Sequence, residues 1–405
     1  MTTLSPRAPA ARVSRLSWPL YAYAALGEFV LLYPLYALLF EASGLSVAQV
    51  SSLFVLWSLT SVAVSVPAGA WADVVPRRHL LAASPLLAAA GFSLWLLWPG
   101  YPAFALGFVL WGAGGALSSG ALEALVYTEL AHRGAADRYA RVMGRARALD
   151  VAAVGAATLL AVPVMAHGGY PAVGAGSVAA CVLCALAALA LPERRAPGPD
   201  AGGEEPSGYR EALREGLREA RSHRGVRGAI LLVVVVASFW QMLEEYVPLL
   251  AADAGVPTAT VPLVVLVVWA CITAGGLLAG PASRLPVRTL ALLLGLAAPA
   301  IALGALWGGP PGWVLLGVGF GVCQMAEVVA DARLQDRITG PSRATVTSLA
   351  GLGTDACTTS AYLLYAGVFA LVGHGGAFAL FAVPYLVAAL FLGRGGVRSA
   401  PATGL

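Results

Sequence analysis

Gly69-Ala70-Trp71-Ala72-Asp73-Val74-Val75-Pro76-Arg77-Arg78-His79 is a short charged passage between two long apolar runs, residues 48–69 and 80–98. Each run is close to the ~20 residues that a helix needs to cross the hydrocarbon of a bilayer. A hairpin between two such helices requires only a turn. This one also sets an aspartate at a helix end, four residues before a pair of arginines.

The rest of the chain has the same character as the flanks. Of 405 residues, 59% are hydrophobic and 11% charged, against roughly a quarter charged in soluble domains. That balance defines a polytopic membrane protein. All 25 basic residues are arginine, which, with the abundance of Ala, Gly and Pro, reflects coding in a GC-rich bacterium. The net charge of +4 gives no reason to expect nucleic acid once the arginines are placed. Cys181, Cys184, Cys271, Cys323 and Cys357 all fall inside apolar runs and read as small core residues. No metal site or cofactor is expected. The apolar run after the basic segment 1–15 contains Glu28 and lacks a small-residue cleavage site, so it is expected to be a retained first helix.

Twelve apolar segments can be placed, at about 17–40, 48–70, 79–98, 102–128, 142–166, 171–191, 229–251, 258–279, 287–307, 312–332, 345–371 and 377–393. Only helices satisfy their backbone internally in lipid, so the fold class is all-α integral membrane with twelve spans. With the N-terminus inside, all 25 arginines fall in inner segments, which places both termini in the cytoplasm. The outer loops are too short to fold. The one long connection, 193–228, opens with Pro, Gly and acids. It continues with Tyr209, Ala212, Leu213, Gly216, Leu217 and Ala220 at helical spacing. Two readings of that amphipathic helix stay open: on the inner membrane surface, or packed on cytoplasmic loops.

The two halves repeat. Glu123 corresponds to Glu327 and Arg138 to Arg343, and each arginine is followed by an aspartate twelve residues later, Asp150 and Asp355. His167-Gly168-Gly169 has a counterpart in His374-Gly375-Gly376, and the opening stretch has a fainter twin in which Asp73 has become Ser283. Domains are therefore expected at 1–192 and 229–405, six helices each, joined by 193–228.

The Gly69-x-x-x-Asp73-x-x-x-Arg77-Arg78 spacing resembles the cytoplasmic loop signature of the major facilitator superfamily, with departures at Trp71, Val74 and Pro76. Combined with the 6+6 repeat and long middle linker, the resemblance extends over the whole chain. It implies two pseudo-symmetric six-helix bundles, alternating access to a central site, and spans one, four, seven and ten lining the cavity. It also implies that Asp73 caps the inner end of span two against the start of span eleven, near Thr345. The cytoplasmic gate is then Gly69, Asp73, Arg77, Arg78, Asp150 and Asp355, with Glu129 and Asp137 as partners for Arg77 and Arg78.

Acids inside a bilayer are costly and mark function. Those within spans are Glu28, Glu123, Asp150, Glu244, Glu245, Glu327, Asp331 and Asp355. Asp150 and Asp355 read as structural; no cation lies near Glu28, Glu244, Glu245 or Glu327 in sequence. Helical spacing places Ser119, Glu123 and Tyr127 on one face, and Gln324, Glu327 and Asp331 on another. A carboxylate in a low-dielectric cavity can exchange its proton at physiological pH. The expected proton and substrate residues are Glu28, Glu123, Glu244, Glu245, Gln324, Glu327 and Asp331, with Tyr21, Tyr127 and Trp240 as cavity aromatics. A cavity with acids and no arginine argues against phosphate esters and organic anions. The expected function is proton-coupled export of an organic cation or amphipathic compound across a bacterial inner membrane, by a monomer. The alternative is a proton symporter importing a neutral solute such as a sugar or nucleoside. No Ser/His/Asp set or phosphate loop supports an enzyme.

Overall fold

The structure is a computed structural model that describes residues 10–193, 224–337 and 343–395. The expected linker helix around Tyr209–Ala220 lies outside the described residues. Secondary structure among them is wholly helical.

The first copy comprises α1 (Ala10–Gly27), α2 (Tyr36–Ala42), α3 (Val47–Val74), α4 (Arg77–Leu97), α5 (Tyr101–Ser118), α6 (Ala121–His132) and α7 (Tyr139–Leu189). The second comprises α8 (Arg224–Glu244), α9 (Val247–Asp253), α10 (Val261–Ala282), α11 (Val287–Trp307), α12 (Gly309–Arg337) and α13 (Arg343–Gly395). The chain forms two compact units, Met1–Pro199 with Thr258–Pro262, and Asp200–Pro257 with Leu263–Leu405. Nine described helical stretches are long and apolar enough to cross a membrane. Two of them, in α7 and α13, are each divided by a non-helical glycine, Gly169 (φ 58°) and Gly373 (φ 69°). Adding the first span, itself divided into α1 and α2, accounts for the twelve.

Those two glycines correct the register of the repeat. They are 204 residues apart, like Glu123 and Glu327. The His-Gly-Gly match of the sequence is therefore displaced by three residues: the turn demands a left-handed residue, and Gly169 and Gly373 supply it.

Three spans expected to be continuous are broken. Span one is non-helical over residues 28–35, span four at Ser119 and Gly120 (φ 73°), and span seven at Glu245 and Tyr246. Pro34 and Pro248 explain two of the breaks. Proline has no N–H to donate and is tolerated in a first turn, so a helix stops before it and restarts around it. The restarted pieces α2 and α9 then end alike. Gly44 (φ 86°) and Gly255 (φ 83°) take the left-handed position. Leu45 N–H donates to Phe40 O (3.1 Å) as Val256 N–H does to Ala251 O (3.0 Å), the six-to-one bond of a Schellman cap. This second repeat signal has an offset of 211.

Packing repeats as well. In the first copy α4 packs on α5 and α7, and α1 on α7; in the second α11 packs on α12 and α13, and α8 on α13. Small residues allow the approach, as membrane helices require. Gly112 lies against the carbonyl of Trp57, and Gly114 against that of Ser84. Their counterparts Gly317 and Gly319 lie against Val268 and Ala297. The first copy also holds a ring cluster in which Trp95 and Trp111 contact Tyr36, Phe92 and Phe108 at 5.0–6.2 Å. Trp95 Nε1 donates to Phe104 O (3.2 Å).

Candidate functional site

The break in span one organises the site. Irregular backbone at membrane depth must be buried in protein or line a cavity. Here it does both: Leu32 N–H donates to Ser177 Oγ (3.0 Å, buried), while Gly27, Glu28, Val30 and Tyr33 line a cavity of about 370 Å³. Glu28 stands directly after the last residue of α1. No hydrogen bond or ion pair reaches its carboxylate from any described residue.

Three acids face this cavity, Glu28, Glu123 and Asp150, with one cation, Arg147. Arg147 Nη2 lies 3.0 Å from Glu123 Oε1, and Nη1 lies 3.6 Å from Asp150 Oδ2. The Arg147 side chain is 66% exposed, so both pairs are screened, each in the range of about 0.2–1 kcal/mol. The apolar walls are Tyr23, Tyr33, Phe92 and Trp111. Tyr33 and Trp111 stack at 5.6 Å with 14° between their planes.

Several expectations change here. The cavity does contain an arginine: Arg147 is two turns inside α7 and reaches Glu123 of α6. Asp150, grouped with the gate from sequence, lines the cavity wall. Ser119 is separated from Glu123 by the break at Gly120 yet still lines the cavity with it, whereas Tyr127, one turn past Glu123 on the continuous α6, is not among the cavity-lining residues. Its side chain is 55% exposed and meets Tyr139 edge-on. Tyr21 packs against an apolar cluster with Leu20 and Leu125; Tyr23, two residues on, lines the cavity instead. Tyr23, Tyr33 and Trp111 were not singled out in the sequence. An acid followed by a proline six residues later, as in Glu28 and Pro34, was the available signal for the break.

In the second copy the acids are engaged differently. Glu327 accepts from Trp240 Nε1 (2.9 Å) and from Gln241 Nε2 (3.2 and 3.3 Å), which ties α8 to α12. Glu244 accepts from Trp269 Nε1 on α10. Glu245 sits in the break of span seven, beside Tyr246, which stacks on Tyr365. Gln324 is half-buried on α12, and Asp331 is exposed one turn past Glu327. Neither Asp331 nor Asp355, also exposed, has an ion pair among the described residues.

At the opening stretch, the inner end of α4 is held by an acid that was not foreseen. The Glu193 carboxylate accepts from Arg77 N–H (2.8 Å) and Arg78 N–H (3.2 Å), the first free amides of α4. The Arg77 side chain donates to Thr128 Oγ1 (3.3 Å). It does not pair with Glu129, which is taken by Arg133 at 2.7 Å. Gly69 lies exposed on α3 with open space beside it. The side chains of Asp73 and Thr345 lie outside what the structure describes.

The Major Facilitator Superfamily sequence profile matches residues 18–354. No curated protein matches. Solved structures are similar in fold. A point mutant of the nucleoside transporter NupG superposes with TM-score 0.77 at 14% identity, covering 93% of this chain and 98% of that one. A bacterial homolog of the human lysosomal transporter Spinster, inward-facing and unoccupied, gives 0.69 at 16% identity, covering 97% and 96%. A D-xylose–proton symporter gives 0.67 at 15% identity, covering 94% and 96%. With a profile over most of the chain, an all-helical multi-pass architecture and a repeat that places the loop stretch between spans two and three, this chain belongs to the major facilitator superfamily of membrane transporters.

Proposed function

We propose that this chain is a proton-coupled transporter that exports organic cations or amphipathic cationic compounds across a bacterial inner membrane. In this reading it works as a monomer, by alternating access, with both termini in the cytoplasm and residues 1–192 and 229–405 as its two bundles. The observation that carries the reading is the first-copy cavity: three carboxylates, one already-paired guanidinium, and four aromatic rings. An excess of acid beside aromatic faces suits an organic cation, through charge and through cation–π attraction. Arg147 is satisfied by Glu123 and Asp150, so it offers an anion no free partner. Glu28, without a hydrogen-bond or ion-pair partner among the described residues, is the proposed proton carrier: protonated it releases the cation, and ionised it binds one. Asp73 and the arginines after it are proposed to serve the inner gate, with Glu193 anchoring α4.

The test uses proteoliposomes with an imposed pH gradient and the aromatic monocation N-methyl-4-phenylpyridinium. The expected result is cation movement against the direction of proton flow, lost in Glu28→Gln. Cation movement indifferent to both the gradient and Glu28→Gln would overturn the reading.

A second reading, import of a neutral solute with a proton, draws on the Trp240–Gln241–Glu327 hydrogen-bonded set. The structures similar in fold include a nucleoside transporter and a D-xylose–proton symporter. Accumulation of a nucleoside or pentose with the proton gradient, in the same vesicles, would favour it.

A further inference from the structure

We infer that Arg147 sets the charge selectivity of the first-copy cavity by acting as a built-in competitor for the positive group of the substrate. The inference rests on the organic-cation reading above and deepens it. The guanidinium, on α7, lines the cavity and forks between two carboxylates, Glu123 on α6 at 3.0 Å and Asp150 on its own helix at 3.6 Å. Glu28, the third acid on the wall, has no described partner. The cavity is thus divided in charge. One acid is open to a ligand, and two are occupied by a tethered cation.

Two features make the tether displaceable. The Arg147 side chain is 66% exposed and that of Glu123 is 39% exposed, so water and salt screen the pair. The contacts to the two acids are also single: each uses a different guanidinium nitrogen, so neither is the bidentate pair that makes arginine–carboxylate bonding strong. A ligand with one positive charge is matched by Glu28 and leaves Arg147 in place. A ligand with a second positive charge must place it near Glu123 and Asp150, against Arg147. The wild-type cavity therefore discriminates against divalent organic cations, although it carries enough carboxylates to hold one. Specificity here comes from a repulsive element as much as from an attractive one.

The second copy provides an internal contrast. The residue 205 positions after Arg147 is Leu352, exposed on α13, and Glu327 is satisfied there by neutral donors. Arg147 therefore has no basic counterpart in the second copy.

The experiment compares two aromatic cations of similar size, N-methyl-4-phenylpyridinium with one charge and methyl viologen with two. Their binding to purified full-length protein is measured by equilibrium dialysis at fixed ionic strength, for wild type, Arg147→Gln and Arg147→Lys. Wild type is expected to prefer the monocation. Arg147→Gln is expected to gain at least about tenfold in affinity for methyl viologen relative to the monocation. Arg147→Lys, which keeps the charge and changes the shape, is expected to stay near the wild-type ratio. An unchanged ratio in Arg147→Gln overturns the inference while leaving the organic-cation reading intact. A shift of equal size in Arg147→Lys also overturns it, because the effect would then be structural. Failure of wild type to bind either cation overturns the organic-cation reading, and the inference with it.

Discussion

Glu123 and Glu327 are the same position in two copies of one design, and the molecule uses them in opposite ways. In the first copy the span breaks at Ser119 and Gly120, and Glu123 faces an open cavity with Arg147 across from it. In the second copy α12 runs unbroken from Gly309 to Arg337, and Glu327 is buttoned to α8 by Trp240 and Gln241. Duplication fixed where a carboxylate would stand; later substitutions on neighbouring helices decided whether it would be mobile in charge or pinned. A carboxylate with two donors aimed at it is held in place, whereas one beside a cavity and a screened guanidinium is less firmly held.

The largest expected difference between the copies is in coupling. Glu28→Gln should reduce gradient-driven cation movement to the level of protein-free vesicles and flatten its dependence on pH. Glu327→Gln should lower the rate and keep the pH dependence. Flux assays at matched protein density check both, and equal flattening by the two changes would erase the contrast.

Packing should be far more alike than chemistry. A methyl group at Gly114 would meet the carbonyl of Ser84 at 2.7 Å, and one at Gly319 would meet Ile301 Cγ1 at 2.6 Å. Overpacking of this kind costs about 1–3 kcal/mol. Gly114→Ala should be the more damaging, since backbone cannot step aside as an isoleucine side chain can. Thermal midpoints in detergent check this, and wild-type values for both would show the interfaces to be loose.

The pinning of Glu327 can be loosened on its own. Trp240→Phe keeps most of the apolar volume and removes one of the donors to a charged acceptor. It should cost about 1.5–3 kcal/mol with little effect on cation affinity at the first-copy cavity. A change in affinity larger than in stability would place Trp240 in the binding machinery.

The smallest effect concerns the opening loop. Glu193 accepts from two amides of α4. The corresponding helix α11 starts at Val287 with no side-chain acceptor on its first amides among the described residues. Glu193→Gln should cost about 0.3–1 kcal/mol, the range for a charge at a helix N-terminus. Hydrogen exchange at Arg77 and Arg78 should quicken, while exchange at Val287 and Arg288 stays as in wild type.

Sequence alone determined the class of the molecule, because the bilayer imposes one rule everywhere. A span is about twenty apolar residues, its backbone is helical, and its arginines stay on one side. The run of twelve segments follows from that rule, which acts residue by residue, and the acids within spans stand out as departures from it. Only the tertiary structure decided which acids matter together. Glu28, Glu123 and Asp150 belong to three different spans, and Arg147 looked like an inner-end residue until α7 was seen to bring it to the cavity. Helical spacing, moreover, gives only a shared helix face, and along the same α6 Glu123 lines the cavity while Tyr127, one turn on, is exposed against Tyr139. The same limit explains Glu193, whose partnership with Arg77 and Arg78 spans 116 and 115 residues of chain. Contacts of that kind are set by how helices pack against one another, which no local pattern records.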